Sequence, residues 1–349
     1  MIKSFLSKIF GIFVKKRNQN YDKKDNYVRV EVPVISVGNL SVGGTGKTPF
    51  VQMLTKFFKT KNYSPGIVGR GYKRESKGKV NVGDYRGALV SAREGGDEMV
   101  LLAESLKVPV IAHDSKSEAA VLIHKEYNVD LVIVDDGFQH RKLFRDLDIV
   151  LIDKETNDNP KLMPEGRLRE PLESIKRAHV VSVMGNFELN EKIKSNLREN
   201  CVIIRVKPIQ ANPYDLHDKQ SIKIRETKEN NIDVFAFAGI AKPERFFNMI
   251  SELGFNIIKS HAYKDHYNYR KSDVEELINK CKKSNCKILA TTEKDAAKII
   301  EYKNILSDND IKCVVFPITL TITDGKAEFF KLIGRKINYR IKRNKSDEK

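Results

Sequence analysis

Val32-Pro-Val-Ile-Ser-Val-Gly38, then Asn39-Leu40, then Ser41-Val-Gly-Gly-Thr-Gly-Lys-Thr48 is the stretch that decides the fold. A β-branched apolar run feeds a glycine-rich turn, and the turn feeds a helical segment from Thr48 to Lys59. Glycines let successive backbone N–H groups converge on phosphate oxygens, and the amino end of the following helix adds partial positive charge. In such a cradle Ser41, Val42, Gly43, Gly44, Thr45, Gly46, Lys47 and Thr48 surround a nucleotide triphosphate. Lys47 reaches its β- and γ-phosphates, and Thr48 offers a hydroxyl to Mg²⁺. The pattern GxxxxGK(S/T) asks for glycine where Ser41 stands, but serine tolerates most turn geometries.

A nucleotide cradle needs a second half, an apolar strand ending in an acid. Leu131-Val-Ile-Val134 followed by Asp135-Asp136 supplies it. Both carboxylates emerge at the carboxyl end of the strand, where open α/β sheets bind ligands. One can hold Mg²⁺ directly or through water, with its neighbour in support. Strand-like runs at Val28–Val37, Val108–Ala112, Val129–Val134, Asp148–Ile152 and His179–Met184 alternate with helical stretches. That alternation predicts an α/β, P-loop NTPase-like domain built on a mostly parallel sheet. A second series (Asp233–Ala238, Asn256–Ser260, Lys287–Thr292, Ile311–Pro317) predicts a second, smaller α/β domain. The expected division is an N-terminal segment over 1–26, the cradle domain over 27–206, a polar connection with Pro208 and Pro213 over 207–231, the second domain over 232–335 and a basic tail over 336–349.

Composition agrees with two globular domains. The chain has 349 residues, 40% hydrophobic and 31% charged, a balance that excludes disorder and collagen-like repeats. Its four cysteines (Cys201, Cys281, Cys286, Cys313) have no paired metal spacing and fit a reducing compartment better than a secreted disulfide scaffold. Sixty-three Lys and Arg against 46 Asp and Glu leave a net charge of +17, which must face something anionic. No apolar run approaches the ~20 residues that cross a bilayer. The amino end is amphipathic instead: on a helix, Ile2, Phe5, Leu6, Ile9, Phe10 and Phe13 fall on one side, with Lys3, Lys8 and Lys15 on the other. Two readings stand, a helix lying in an anionic membrane interface and a helix packed on its own domain with solvated lysines. The carboxyl end repeats the charge, with eight Lys and Arg between Lys331 and Lys349.

Three function classes compete for such a cradle. A GTPase needs an N-K-x-D guanine reader after a strand. Asn344-Lys-Ser-Asp347 lies in a hydrophilic tail, and Thr292-Glu-Lys-Asp295 has its lysine in the wrong place. A nucleic-acid motor is disfavoured because the basic residues favour the chain ends and no aromatic stacking module accompanies them, so no nucleic-acid partner is expected. A small-molecule or lipid kinase needs a base near an acceptor hydroxyl and cations for an anionic substrate, and the chain offers both. Read from spacing alone, Asp97 is a helix N-cap ahead of Met99–Leu106.

Several further segments, in order, resemble the tetraacyldisaccharide 4′-kinase family of lipid A biosynthesis. They are Val37–Pro49, Gly69-Arg-Gly-Tyr72, Gly96-Asp-Glu98, Asp135-Asp-Gly-Phe-Gln-His140, Pro164-Glu-Gly-Arg-Leu-Arg-Glu-Pro171, Ala238-Gly-Ile240, Asp265-His266 and Thr292-Glu-Lys-Asp295. The resemblance implies ATP- and Mg²⁺-dependent phosphorylation of the 4′-hydroxyl of a tetraacylated glucosamine disaccharide 1-phosphate. It implies a peripheral protein at the cytoplasmic face of the bacterial inner membrane, on an anionic surface. It further implies Asp97 as base, assisted by His266, with Lys47 also catalytic. Thr48, Asp135, Asp136 and Glu170 would then be placed at the metal, and Tyr72, Gln139, His140 and Arg169 at the substrate or its phosphate. The alternative from another class is a P-loop metallochaperone-type GTPase acting on a partner protein.

Overall fold

The computed structural model describes residues 2–22, 27–222 and 232–347, and side chains among them except Asp22 and residues 341–347. Parts of three expected segments (23–26, 223–231 and the last two residues) lie outside the described residues, as do the side chains of the Asn344–Asp347 motif. The large sheet collects β1 (Val34–Asn39), β2 (Pro65–Gly69), β3 (Val80–Asp84), β4 (Gly87–Ala88) and β5 (Val110–Ala112). It continues with β6 (Leu131–Asp135), β7 (Leu147–Ile152), β8 (Val180–Met184) and β9 (Val202–Gln210). The smaller sheet holds β10 (Tyr214–Asp215), β11 (Asp233–Ala238), β12 (Asn256–Ala262), β13 (Ile288–Thr292) and β14 (Lys312–Phe316), and β15 (Ile318–Asp324) returns to the large one.

Spatial order in the large sheet is β15-β9-β8-β7-β1-β6-β2-β5-β3-β4, and every pairing from β9 to β5 is parallel. The chain leaves β1 toward β2 on one side and later arrives at β7 on the other. That reversal opens a crevice at the carboxyl ends of β1 and β6, where α/β sheets bind ligands. The P-loop and the Asp135-Asp136 pair both sit there. The helix after the loop, Lys47–Thr60, runs one residue beyond the expected Thr48–Lys59 at each end. Its Phe50, Leu54 and Phe58, four apart, are fully buried, each worth about 1.5–3 kcal/mol of apolar burial. This anchorage fixes the loop that precedes it.

The boundaries at 207 and 335 need correction. Residues expected in the connection form the end of β9, which pairs with β8 and β15 in the large sheet. β15 and the C-terminal helix (Lys326–Asp347) belong to the first unit, because Leu320, Phe329, Leu332, Ile333 and Ile337 pack into its core. The first twelve residues of the expected tail are therefore helical, and Arg340 is buried with its guanidinium donating to the Val30 carbonyl at 2.7 Å.

The N-terminal helix spans Ile2–Asp22. It does pack on its own domain, but through Ser7, Gly11, Val14 and Asn18. The Ser7 hydroxyl donates to the Leu162 carbonyl at 3.1 Å, and a methyl group on Gly11 would stand 3.2 Å from the Leu162 side chain. The apolar side faces outward, with Phe5 64% and Phe13 69% exposed. No described helix is long and apolar enough to cross a membrane.

Candidate active site

The loop is built by close packing on both sides. Gly43 (φ +104°) and Gly46 (φ +82°) hold left-handed backbone that L-residues rarely adopt. A methyl on Gly46 would stand 2.6 Å from the Met184 side chain, whereas one on Gly44 meets nothing within 4 Å. Ser41, the departure from the sequence pattern, is buried with φ outside the left-handed region, and its hydroxyl accepts from Thr156 at 2.9 Å. The site needed no glycine there. Among the described residues, the amides of 43–48 make no hydrogen bond to protein, the condition for them to receive an anion.

Lys47 ties the loop to the acid pair, its Nζ 3.4 Å from Asn39 Oδ1 and 3.5 Å from Asp136 Oδ1. Asn39 in turn donates to the Thr45 hydroxyl at 2.9 Å. Arg169 grips Asp136 with two parallel bonds of 2.9 and 2.8 Å and also bonds Asn39. Burial opposes the Asp136 charge, but Arg169, Lys47 and Lys116 outweigh it and hold its pKa well below the usual carboxylate range. The Asp136 backbone is itself left-handed (φ +50°), a conformation retained where surroundings over-determine it. Asp135 behaves oppositely. Burial, then Glu98 and Asp136, push it up to about 7, and its Oδ1 is buried without a hydrogen-bond partner. A buried, unsatisfied carboxylate at the mouth of a phosphate cradle fits a divalent cation, which would relieve both defects. No three acidic, histidine or thiol groups converge among the described residues, so such an ion would be completed by phosphate oxygens and water, as Mg²⁺ commonly is.

Opposite this pair stands Asp97. It opens the Asp97–Leu106 helix, but the cap is Gly96 (φ +87°), and no side chain caps that end. The cap reading from spacing is therefore overturned. Gly96 is required by packing, since a methyl there would lie 2.8 Å from the Gly71 backbone. The Gly69-Arg-Gly-Tyr72 and Gly96-Asp-Glu98 turns thus touch backbone to backbone. Asp97 is buried, and its Oδ2 lies 3.2 Å from His266 Nδ1, which arrives from the loop after β12. Tyr72, exposed, sets its ring edge-on to His266 at 5.6 Å between centroids. The first turn of the Asp97 helix also borders the acid pair, because Gly69 separates Met99 from Asp135 with room for no side chain of its own.

Other expected positions fall differently. Gln139 donates to the Asn39 carbonyl at 2.9 Å, bracing the end of β1. His140 is pushed down to about 4 by burial and then by the Lys116 charge, so it is neutral at neutral pH. Glu170 is engaged by partners of which its local sequence shows no sign. Its carboxylate is wholly buried, bonded to Arg177 at 2.8 Å and Asn18 at 3.0 Å, with Arg17 at 4.0 Å. Through Asn18 and Arg17 it ties the N-terminal helix to the large-sheet unit, and its Oε1 has no hydrogen-bond partner.

Sequence reasoning missed four residues. Lys116 is buried and donates to the Asp136 carbonyl at 2.5 Å; a lysine following Ser115 at a helix start carries no local sign of that. Arg167 lies across the loop, donating to the Val42 carbonyl, and its place in the already quoted Pro164–Pro171 segment was the available signal. Lys294 and Lys298 flank the Asp97–His266 pair from the Glu293–Ile299 helix.

A family model described as tetraacyldisaccharide-1-P 4′-kinase matches residues 2–338. The tetraacyldisaccharide 4′-kinase of Chlorobium chlorochromatii is 32% identical over 343 residues, covering 95% of this chain and 92% of that protein. That of Aquifex aeolicus is 35% identical over 313 residues, covering 87% and 91%. The solved structure of Aquifex aeolicus LpxK, an "apo" form in complex with ATP, superposes with a TM-score of 0.78 at 30% identity, covering 97% of this chain and all of that one. These relatives do not favour the GTPase alternative.

Proposed function

The chain belongs to the tetraacyldisaccharide-1-phosphate 4′-kinase family, and from that premise we propose that it transfers the γ-phosphoryl group of ATP to the 4′-hydroxyl of a tetraacylated glucosamine disaccharide 1-phosphate, giving lipid IV-A. The observation that carries this reading is an anion-ready loop and acid pair bordered, across Gly69, by the helix whose first residue, Asp97, pairs with His266 from the smaller-sheet unit.

In the reaction, the amides of 43–48 and Lys47 hold the β- and γ-phosphates, so charge built on the departing ADP oxygen meets fixed donors. Thr48, Asp135 and Asp136 would hold Mg²⁺, which would supply positive charge against the phosphates when bound. Arg169 and Gln139 keep Asn39 and Asp136 in place. Asp97 accepts the proton of the attacking hydroxyl while the O–P bond forms and the γ-phosphate bond to ADP breaks. His266 holds the carboxylate in register. Because His266 comes from the second unit, seating that unit assembles the pair and excludes water that would otherwise hydrolyse ATP.

The outward apolar face of the N-terminal helix suits an acceptor held in a bilayer. Phe5, Ile12 and Phe13 would insert at the headgroup boundary while Lys3, Lys8 and Lys16 meet anionic lipid, each worth about 1 kcal/mol. On this reading the protein sits peripherally on the cytoplasmic leaflet of the inner membrane. The test is phosphate transfer from radiolabelled ATP, and separately GTP, to the 1-phosphorylated tetraacyl disaccharide in mixed micelles. Labelled product from ATP that disappears in Lys47→Ala supports the reading; GTP turnover without lipid labelling rejects it.

A further inference from the structure

Asp97 and His266 account for part of the acceptor side, yet a buried cation beside them is still unexplained. Lys298 lies on the Glu293–Ile299 helix with its side chain 2% exposed, and lysine is almost never buried so completely without ionic partners. Its Nζ is 3.2 Å from Asp97 Oδ2 and 3.6 Å from Asp295 Oδ1. Asp295 is a fixed platform: it is wholly buried and accepts from the Gly239 amide at 3.0 Å, the Tyr269 hydroxyl at 3.2 Å and the Thr292 hydroxyl at 2.7 Å. This is the structural use of Thr292-Glu-Lys-Asp295, the motif left without a role in the chemistry.

The contacts on Asp97 are lopsided. His266 Nδ1 and Lys298 Nζ both fall on Oδ2, while Oδ1 has no hydrogen bond among the described residues. The imidazole tautomer follows from its other nitrogen. Lys294 Nζ lies 3.1 Å from Nε2, and a lysine ammonium only donates, so Nε2 accepts and the ring proton sits on Nδ1, given to Oδ2. His266 itself has left-handed backbone (φ +60°), consistent with a ring held for orientation.

We propose that Lys298 is the positioning residue of the acceptor-side carboxylate: with His266 it locks Asp97 Oδ2, turns Oδ1 toward the attacking hydroxyl, and makes that lock depend on the second unit being seated. This rests on Asp97 being the base, so the experiment separates the two. Full-length wild type, Lys298→Met, Lys298→Arg, Asp97→Asn and the Asp97→Asn/Lys298→Met double variant are assayed for phosphate transfer from ATP to the disaccharide acceptor, with kcat and KM for ATP measured separately.

Lys298→Met is expected to lower kcat by about 10- to 1000-fold, short of the full ~10²–10⁴-fold base contribution, while KM for ATP stays within about twofold. Lys298→Arg recovers part of the rate. In the Asp97→Asn background Lys298→Met costs less than about threefold more, because the oxygen it orients no longer acts. A wild-type kcat for Lys298→Met overturns the proposal, as does an equal loss in both backgrounds. Should Lys298→Met fail to fold by circular dichroism, Lys298→Gln and Lys298→Arg carry the comparison: Arg faster than Gln supports the proposal, and equal rates overturn it. An active Asp97→Asn defeats the base reading itself, whereas an inactive one beside an indifferent Lys298→Met defeats only this inference.

Discussion

Glu170 offers the sharpest test, because the family resemblance and the structure assign it different work. If it tethers the N-terminal helix, replacing Arg177 by Met strands a wholly buried carboxylate with only Asn18 and the half-exposed Arg17 for company. Breaking a buried pair from one side costs about 3–5 kcal/mol; since Arg177 retains 16% exposure, we take the lower end, about 3 kcal/mol. At roughly 2–4 °C per kcal/mol for units of this size, the melting temperature should fall by about 6–12 °C. Adding Glu170→Met removes the stranded charge and should return most of that loss. Differential scanning fluorimetry reads both. The activity arm uses Glu170→Gln: its half-saturating Mg²⁺ should match wild type within about twofold, whereas loss of a group at the metal moves affinity by about tenfold or more. A raised Mg²⁺ requirement with unchanged melting would falsify the tether and return Glu170 to the metal.

Three other outcomes follow from the geometry. Phe5→Ser with Phe13→Ser should abolish most flotation with anionic vesicles, since two exposed aromatic side chains are lost at about 1.5–3 kcal/mol each, while nucleotide affinity stays put; undiminished flotation rejects the membrane face. Asp135 is a raised acid, so its contribution to stability is fully present below about pH 4 and is lost as pH rises through about 7, a swing of about 4 kcal/mol. Holding Mg²⁺ requires the carboxylate, so calorimetry with a non-hydrolysable ATP analogue at pH 6.5, in buffers of different ionisation enthalpy, should detect proton release on adding the metal. An identical heat in both buffers argues against Asp135 as a ligand. Gly96→Ala forces a methyl against the Gly71 backbone at 2.8 Å and a left-handed φ, and should cost about 1–3 kcal/mol or more, whereas Gly44→Ala, with open space around it, should melt like wild type. Equal melting of the two would contradict the backbone contact.

What could be read in advance divides along a physical line. The P-loop helix, β6 with its terminal acids and the parallel core were legible because each is written in a contiguous pattern: a glycine cluster between periodic runs, or an apolar run closed by a charge. β15 was not, although Ile318-Thr-Leu-Thr-Ile322 alternates cleanly, because alternation says that a strand exists and nothing about which sheet receives it. Charges were the least legible. Arg169 and Glu170 are adjacent, yet one side chain turns to Asp136 and the other to Arg177 and Asn18, 152 residues from Asn18 in the chain. Asp97 and Lys298 are likewise ordinary surface letters until β12 and the Glu293–Ile299 helix bring His266 and both lysines against the Gly96 turn. Burying a charge is costly unless a partner is buried with it, so these residues occur in compensated sets. The search that finds them asks which distant ion accompanies each buried one. Applied here, that question leads from Glu170 Oε2 to Arg177 and Asn18, and it leaves Asp135 Oδ1 without a hydrogen-bond partner at the end of the strand that faces the loop.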